Sequence, residues 1–150
     1  VERRAPVAAR HVMEPLVERE APAGGRRDAR ARVHGLAVAA EPVFGTLAEA
    51  GFEGYAVDYR SRRQTYYLPD GDTIAFDIPH SRHPVASAFD SAGIASLVRW
   101  AQGNGAAYSY AAFCDSVMAA GCAGYLVSLP GRRVVYYGRT AETHEELFPQ

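Results

Sequence analysis

The stretch RRVVYY, Arg132–Tyr137, has a near copy in RRQTYY, Arg62–Tyr67, at an interval of 70 residues. Laid over each other at that offset without a gap, Ala50, Gly51, Gly54, Tyr55, Val57, Arg62, Arg63, Tyr66 and Tyr67 match Ala120, Gly121, Gly124, Tyr125, Val127, Arg132, Arg133, Tyr136 and Tyr137. That is nine identities in 18 columns, where roughly one or two arise by chance at ordinary composition. Self-similarity at a fixed interval marks a repeated supersecondary unit. The unit read here is a helix followed by a β-hairpin, over residues 41–68 and again over 111–138.

Each shared residue has a physical task. Gly51 and Gly121 stand where a helix needs a left-handed cap. Tyr55 with Val57, and Tyr125 with Val127, lie two apart and share one face of a strand. Consecutive residues of a strand point to opposite faces, so Tyr66 and Tyr67, like Tyr136 and Tyr137, are divided between core and far side. The same rule sets Arg133, Val135 and Tyr137 on one face and Arg132, Val134 and Tyr136 on the other. The second hairpin, with Leu126, Val134 and Val135 where the first has Ala56, Gln64 and Thr65, reads as apolar on both faces and therefore central.

Around the repeat, Val43, Phe44, Leu47 and Ala48 share a helical face. GYAVDYR, RQTYYL and TIAFDI read as strands, with Pro69-Asp70-Gly71-Asp72 as a turn. Asp90 and Ser109 are the expected N-caps of two further helices. Ile94, Leu97, Val98 and Ala101 form the inner face of the first, and Phe113, Val117 and Ala120 that of the second. GRTAETHEELFPQ is read as a tail. The expected fold is α+β: one antiparallel sheet of four to five strands, helices on one face, and an approximate twofold relation between the hairpins.

All 16 basic residues are arginine, a composition that suggests coding bias before function. Residues 1–34 hold eight arginines, five acids and no aromatic residue, and read as a disordered Arg/Ala-rich extension. Residues 35–150 then form a single domain. They carry eight arginines against 12 acids, an electrostatic balance that argues against nucleic acid as a partner. No apolar run reaches the roughly 20 residues that cross a bilayer, so no membrane association is expected and the default location is the cytoplasm. Two cysteines, Cys114 and Cys122, fit a reducing compartment.

The motifs LAEAGFEGYAVDYRSRRQTYYLPDGD, YSYAAFCDSVMAAGCAGYLVSLPGRRVVYYGR and HEELFP, in that order, resemble an uncharacterised bacterial domain-of-unknown-function family. That family includes the prophage-encoded proteins YdfO and YbcV, and some members are labelled phage envelope protein. The resemblance spans Phe44 to Pro149. It implies a small α+β fold and carries no catalytic residues with it.

Two functional expectations follow from the residues. The first is a non-catalytic interaction or small-ligand module, with Tyr67, Tyr137 and Arg133 on the sheet face opposite the helices. Its partner would be a protein, a second copy in a homodimer, or a small anion. The second is a small enzyme that holds an acidic substrate through Arg139, beyond the end of a strand, and uses acid-flanked His144 as a base. In it Cys122 or Cys114 is the candidate nucleophile, although Phe52 at the equivalent position marks Cys122 as a packing site. Asp77, His80 and His83 lack an evident fourth metal ligand, and no phosphate-cradling loop or Cys-x-x-Cys pair occurs. No metal and no cofactor are therefore expected.

Overall fold

The computed structural model describes residues 47–49, 51–78, 83–103 and 106–148. The Arg/Ala-rich extension, Val43, Phe44 and His80 lie outside them. Six strands form one open antiparallel sheet: β1 (Gly54–Asp58), β2 (Arg63–Tyr67), β3 (Thr73–Asp77), β4 (Cys122–Ser128), β5 (Arg133–Gly138) and β6 (Thr143–Leu147). Helices α1 (Ser91–Gly103) and α2 (Tyr110–Ala119) separate β3 from β4, and residues 47–49 are helical as well. The fold is α+β. Its strand order is β3-β2-β1-β4-β5-β6.

Six strands replace the expected four to five because the tail is itself a strand. THEEL has no apolar alternation and little intrinsic strand preference. It pairs with β5 through the backbone, Tyr137 opposite Thr143 and Arg133 opposite Leu147. At its far end the Phe148 amide donates to the Arg132 carbonyl at 2.9 Å. The same bond joins Ile78 to Arg62 at 2.8 Å, 70 residues earlier.

Other contacts recur at that offset. The Leu68 amide bonds the Asp72 carbonyl and the Gly138 amide that of Glu142, both at 2.9 Å. The Tyr59 amide bonds the Ala123 carbonyl, and the Leu129 amide that of Glu53. Asp58 Oδ1 accepts from the Ser61 amide at 3.3 Å, and Ser128 Oγ from the Gly131 amide at 2.9 Å. The first arginine of each Arg-Arg pair is the left-handed residue of its turn, with φ of 56° at Arg62 and 50° at Arg132. Only the second arginine enters a strand. The seam between β1 and β4 pairs Tyr55 with Val127, Ala56 with Leu126 and Val57 with Tyr125, a register that reads alike from either side.

The caps stand where local chemistry puts them. Gly51 and Gly121 both adopt φ of 89°. Asp90 Oδ1 accepts from the Gly93 amide at 2.9 Å and Ser109 Oγ from the Ala112 amide at 3.1 Å, each satisfying an otherwise orphaned helix donor. Ile94, Val98 and Ala101 of α1 and Phe113, Cys114, Val117 and Met118 of α2 are buried. Leu47 is buried too, but Ala48, expected beside it, is exposed.

These side chains cover one face of the sheet. Along that face Tyr66, Tyr55, Tyr125 and Tyr136 stand ring against ring, with successive centroids 5.5, 6.2 and 5.5 Å apart. All four are fully buried. The amide of buried Gln64 donates to Tyr66 Oη at 3.0 Å. Burial raises the phenols of Tyr55, Tyr66 and Tyr136 above the ordinary 10.0, and the Cys122 thiol from 9.0 to about 12. The folded chain thus holds these protons where the unfolded chain releases them, so stability falls as pH rises above about 9 to 10. A spectrophotometric titration is expected to show the buried tyrosines ionising only together with loss of near-ultraviolet circular dichroism.

Candidate functional site

Alternation sends every second side chain of each strand to the face away from the helices. The pairings arrange these residues in three rows across the sheet. The central row runs Ala75, Thr65, Ala56, Leu126, Val135, Glu145. One flanking row runs Thr73, Tyr67, Gly54, Ser128, Arg133, Leu147, and the other Asp77, Arg63, Asp58, Gly124, Tyr137, Thr143. An antiparallel sheet with one solvated face ordinarily sets polar residues there. Here three of the middle four strands carry apolar residues in the central row, Ala56, Leu126 and Val135, beside Thr65, and Leu126 is 45% exposed. Apolar character on both faces of the second hairpin therefore does not bring burial on both.

Tyr67 and Tyr137 flank this row, both half-buried. The Tyr137 ring lies over Gly124, where a Cβ would meet both the phenol and the Val57 carbonyl. At the equivalent Gly54 a Cβ would meet the Val127 carbonyl. Glycine is required at both places because neighbouring backbone comes too close for any side chain. Burial, then the nearby Asp58 carboxylate, push the Tyr137 phenol up, while Arg60 pulls it down. Arg133 is exposed and donates to Glu145 Oε1 at 3.0 Å. An exposed pair of this kind contributes about 1 kcal/mol at most, so the guanidinium is readily redirected. Tyr67, Tyr137 and Arg133 thus share one open face.

The second set of candidates occupies other ground. Arg139 lies in the β5–β6 turn and donates to the Val85 carbonyl at 3.3 Å. Its turn repeats the Leu68–Asp72 turn, since the Glu142 amide approaches Thr140 Oγ1 at 3.5 Å as the Asp72 amide approaches Asp70 Oδ1 at 2.9 Å. His144 stands on the helix-covered face of β6. Its Nε2 is 2.7 Å from Glu146 Oε1 and its Nδ1 is 3.5 Å from Ser91 Oγ, at the start of α1. The carboxylate belongs to Glu146, two residues on and on the same face. Ser91 is a neighbour 53 residues away in the chain, for which no local signal exists.

Cys122 is wholly buried, and its thiol donates to the Gly124 carbonyl at 3.2 Å. With its pKa pushed up to about 12 by burial, it is held as a protonated packing group. Cys114, also buried, accepts from Tyr59 Oη at 3.5 Å. Asp77 ends β3 on the open face and His83 is exposed. Among the described residues no group of three His, Cys, Asp or Glu side chains could hold a metal ion. No described helix is long and apolar enough to cross a membrane.

No protein-family model matches this chain, and no curated protein matches it either.

Proposed function

We propose that the protein is a non-catalytic interaction module whose working surface is the open face of the sheet. The observation that carries this reading is Leu126, a large apolar residue at the middle of a central strand and nearly half exposed. Beside it Val135 and Ala56 make an apolar strip that Thr65 continues with its methyl and hydroxyl, with an arginine and a tyrosine at either end of both β2 and β5. Aromatic residues and arginine are the types enriched where protein surfaces meet. On this reading the chain is a doubled three-strand unit, β1-β2-β3 and β4-β5-β6, and the doubling is what presents the Arg/Tyr pattern twice. The bonds that recur at an offset of 70 support it, and on this reading the repeat expected over 41–68 and 111–138 runs on through β3 and β6.

Leu126→Glu tests whether the face is free. In a chain kept dilute, a substitution on solvated surface changes stability by only about 0.5 to 1 kcal/mol, so the expected shift in Tm is below about 8 °C. A fall well beyond that would mean that the face is covered within a single chain, and would end the reading.

One observation favours a second reading, an enzyme on the opposite side of the sheet. His144 lies between the Ser91 hydroxyl and the Glu146 carboxylate, an alignment able to activate a serine for acyl transfer, with Arg139 as anchor for an acidic substrate. It ranks second because the Asp90 carboxylate caps the same helix end and would repel a developing oxyanion. A fluorophosphonate that leaves Ser91 of the native protein unlabelled removes it.

A further inference from the structure

We infer that the occupant of the open face is a second copy of the same chain, packed sheet against sheet about a twofold axis parallel to the strands, above the β1–β4 seam. This rests on the reading of that face as the working surface. The reason is self-complementarity, which a twofold interface demands, since a residue that meets another must be met by it in return.

On β2 the open face carries Arg63, Thr65 and Tyr67, and on β5 it carries Arg133, Val135 and Tyr137. Strand order and register place Arg63 in the same row as Tyr137, and Tyr67 in the same row as Arg133. A twofold axis along the central seam keeps each row and exchanges β2 with β5. Arg63 then lies over the second copy's Tyr137, and Arg133 over its Tyr67. Each guanidinium meets an aromatic face, the arrangement in which a cation is attracted to the ring. No arginine faces an arginine.

The central row is complementary in size as well. Leu126 comes to lie over Ala56 of the other copy and Val135 over Thr65, large against small, as interdigitated layers require. Glu145 falls over Ala75. The alternative axis, along the central row, would stack Leu126 on Leu126 and bring the two Glu145 carboxylates together. Size and charge both select the axis parallel to the strands. Aligned sheet packing rotates the layers by about 30°, which displaces the outer strands most and leaves β1 and β4 over each other.

The area sets the strength. Six strands about 4.8 Å apart, with about five residues each rising about 3.4 Å, give a face of roughly 490 Å². Two such faces bury about 1,000 Å², the lower limit of a specific interface. A dimer of that size is expected to dissociate at roughly 1–100 μM, and so to form and part with concentration.

Sedimentation equilibrium of the full chain from 1 μM to 1 mM is the first test. A monomer–dimer equilibrium in that range is expected, weakened at least about tenfold by Arg63→Glu with Arg133→Glu, since all four cation–ring contacts of the dimer are lost. Geometry is tested by cross-linking under mild oxidation, Cys114 and Cys122 being buried. Chains carrying Thr65→Cys, mixed with chains carrying Val135→Cys, should form a disulfide-linked heterodimer that neither yields alone. A chain that stays monomeric to 1 mM, or that cross-links like with like, overturns the inference. So does a dimer that survives Leu126→Glu unchanged. None of these results touches the Tm measurement on dilute Leu126→Glu, which tests separately whether the face is free.

Discussion

Gly121→Ala is expected to cost about 4 kcal/mol, a large share of the stability of a domain this size, whereas Gly51→Ala costs about 1 to 2 kcal/mol. The two glycines have the same φ of 89°, so the backbone term is shared. They differ in what surrounds them. A Cβ on Gly51 meets nothing within 4 Å, while on Gly121 it would strike the carbonyl of Ala88 and crowd Phe89. The segment before α1 crosses there, held by bonds from the Asp90 amide to the Ala120 carbonyl and from the Ala86 amide to the Met118 carbonyl. An alanine methyl would have to push that segment away, and the helix cap with it. Urea denaturation followed by circular dichroism measures both variants. Equal losses would show that no such crossing constrains the site.

Tyr136→Ala is the second large effect. It is expected to lower stability by roughly 3–5 kcal/mol, as removal of a buried aromatic ring does, against about 1 kcal/mol for Tyr137→Ala. The ring of Tyr136 is enclosed, 5.5 Å from that of Tyr125 and 6.3 Å from the His144 imidazole. Its loss leaves a cavity at one end of the tyrosine ladder. Tyr137 points to the open face, and its truncation uncovers Gly124 to water and opens no cavity. In a domain of about 100 residues each kcal/mol is worth about 4–8 °C of Tm, so thermal melts separate the variants. A Tyr137→Ala melt as low as that of Tyr136→Ala would contradict the division of the pair between the two faces.

That division was legible in the residues alone. Side chains alternate strictly along a strand, so once Val134–Tyr137 is a strand its two tyrosines must part. The helix caps were legible for a similar reason, because Asp90, Ser109, Gly51 and Gly121 act on backbone groups within a few residues. Less could be read where pairing is long-range. THEEL carries no strand pattern of its own and becomes β6 because β5 presents an unpaired edge. The first arginine of each Arg-Arg pair looked like a strand residue, yet the turn takes it. Arg139, expected beyond the end of a strand, lies in a turn with the same bonds as the one at Pro69–Asp72.

The candidate site divides along the same line. Tyr67, Tyr137 and Arg133 could be assigned to a common face by counting residues. Leu126 could not be singled out, since an apolar residue opposite a core position in a central strand is ordinarily covered from both sides. Whether a second layer lies over it depends on where the helices pack. Ser91 and His144 meet only because α1 crosses β6. By itself, then, the sequence determined the caps and the face that each strand residue takes, matters of local backbone geometry. Only the tertiary structure decided the pairing of β1 with β4, the sixth strand and the exposure of Leu126. Those features depend on contacts between residues far apart in the chain, which no local pattern encodes.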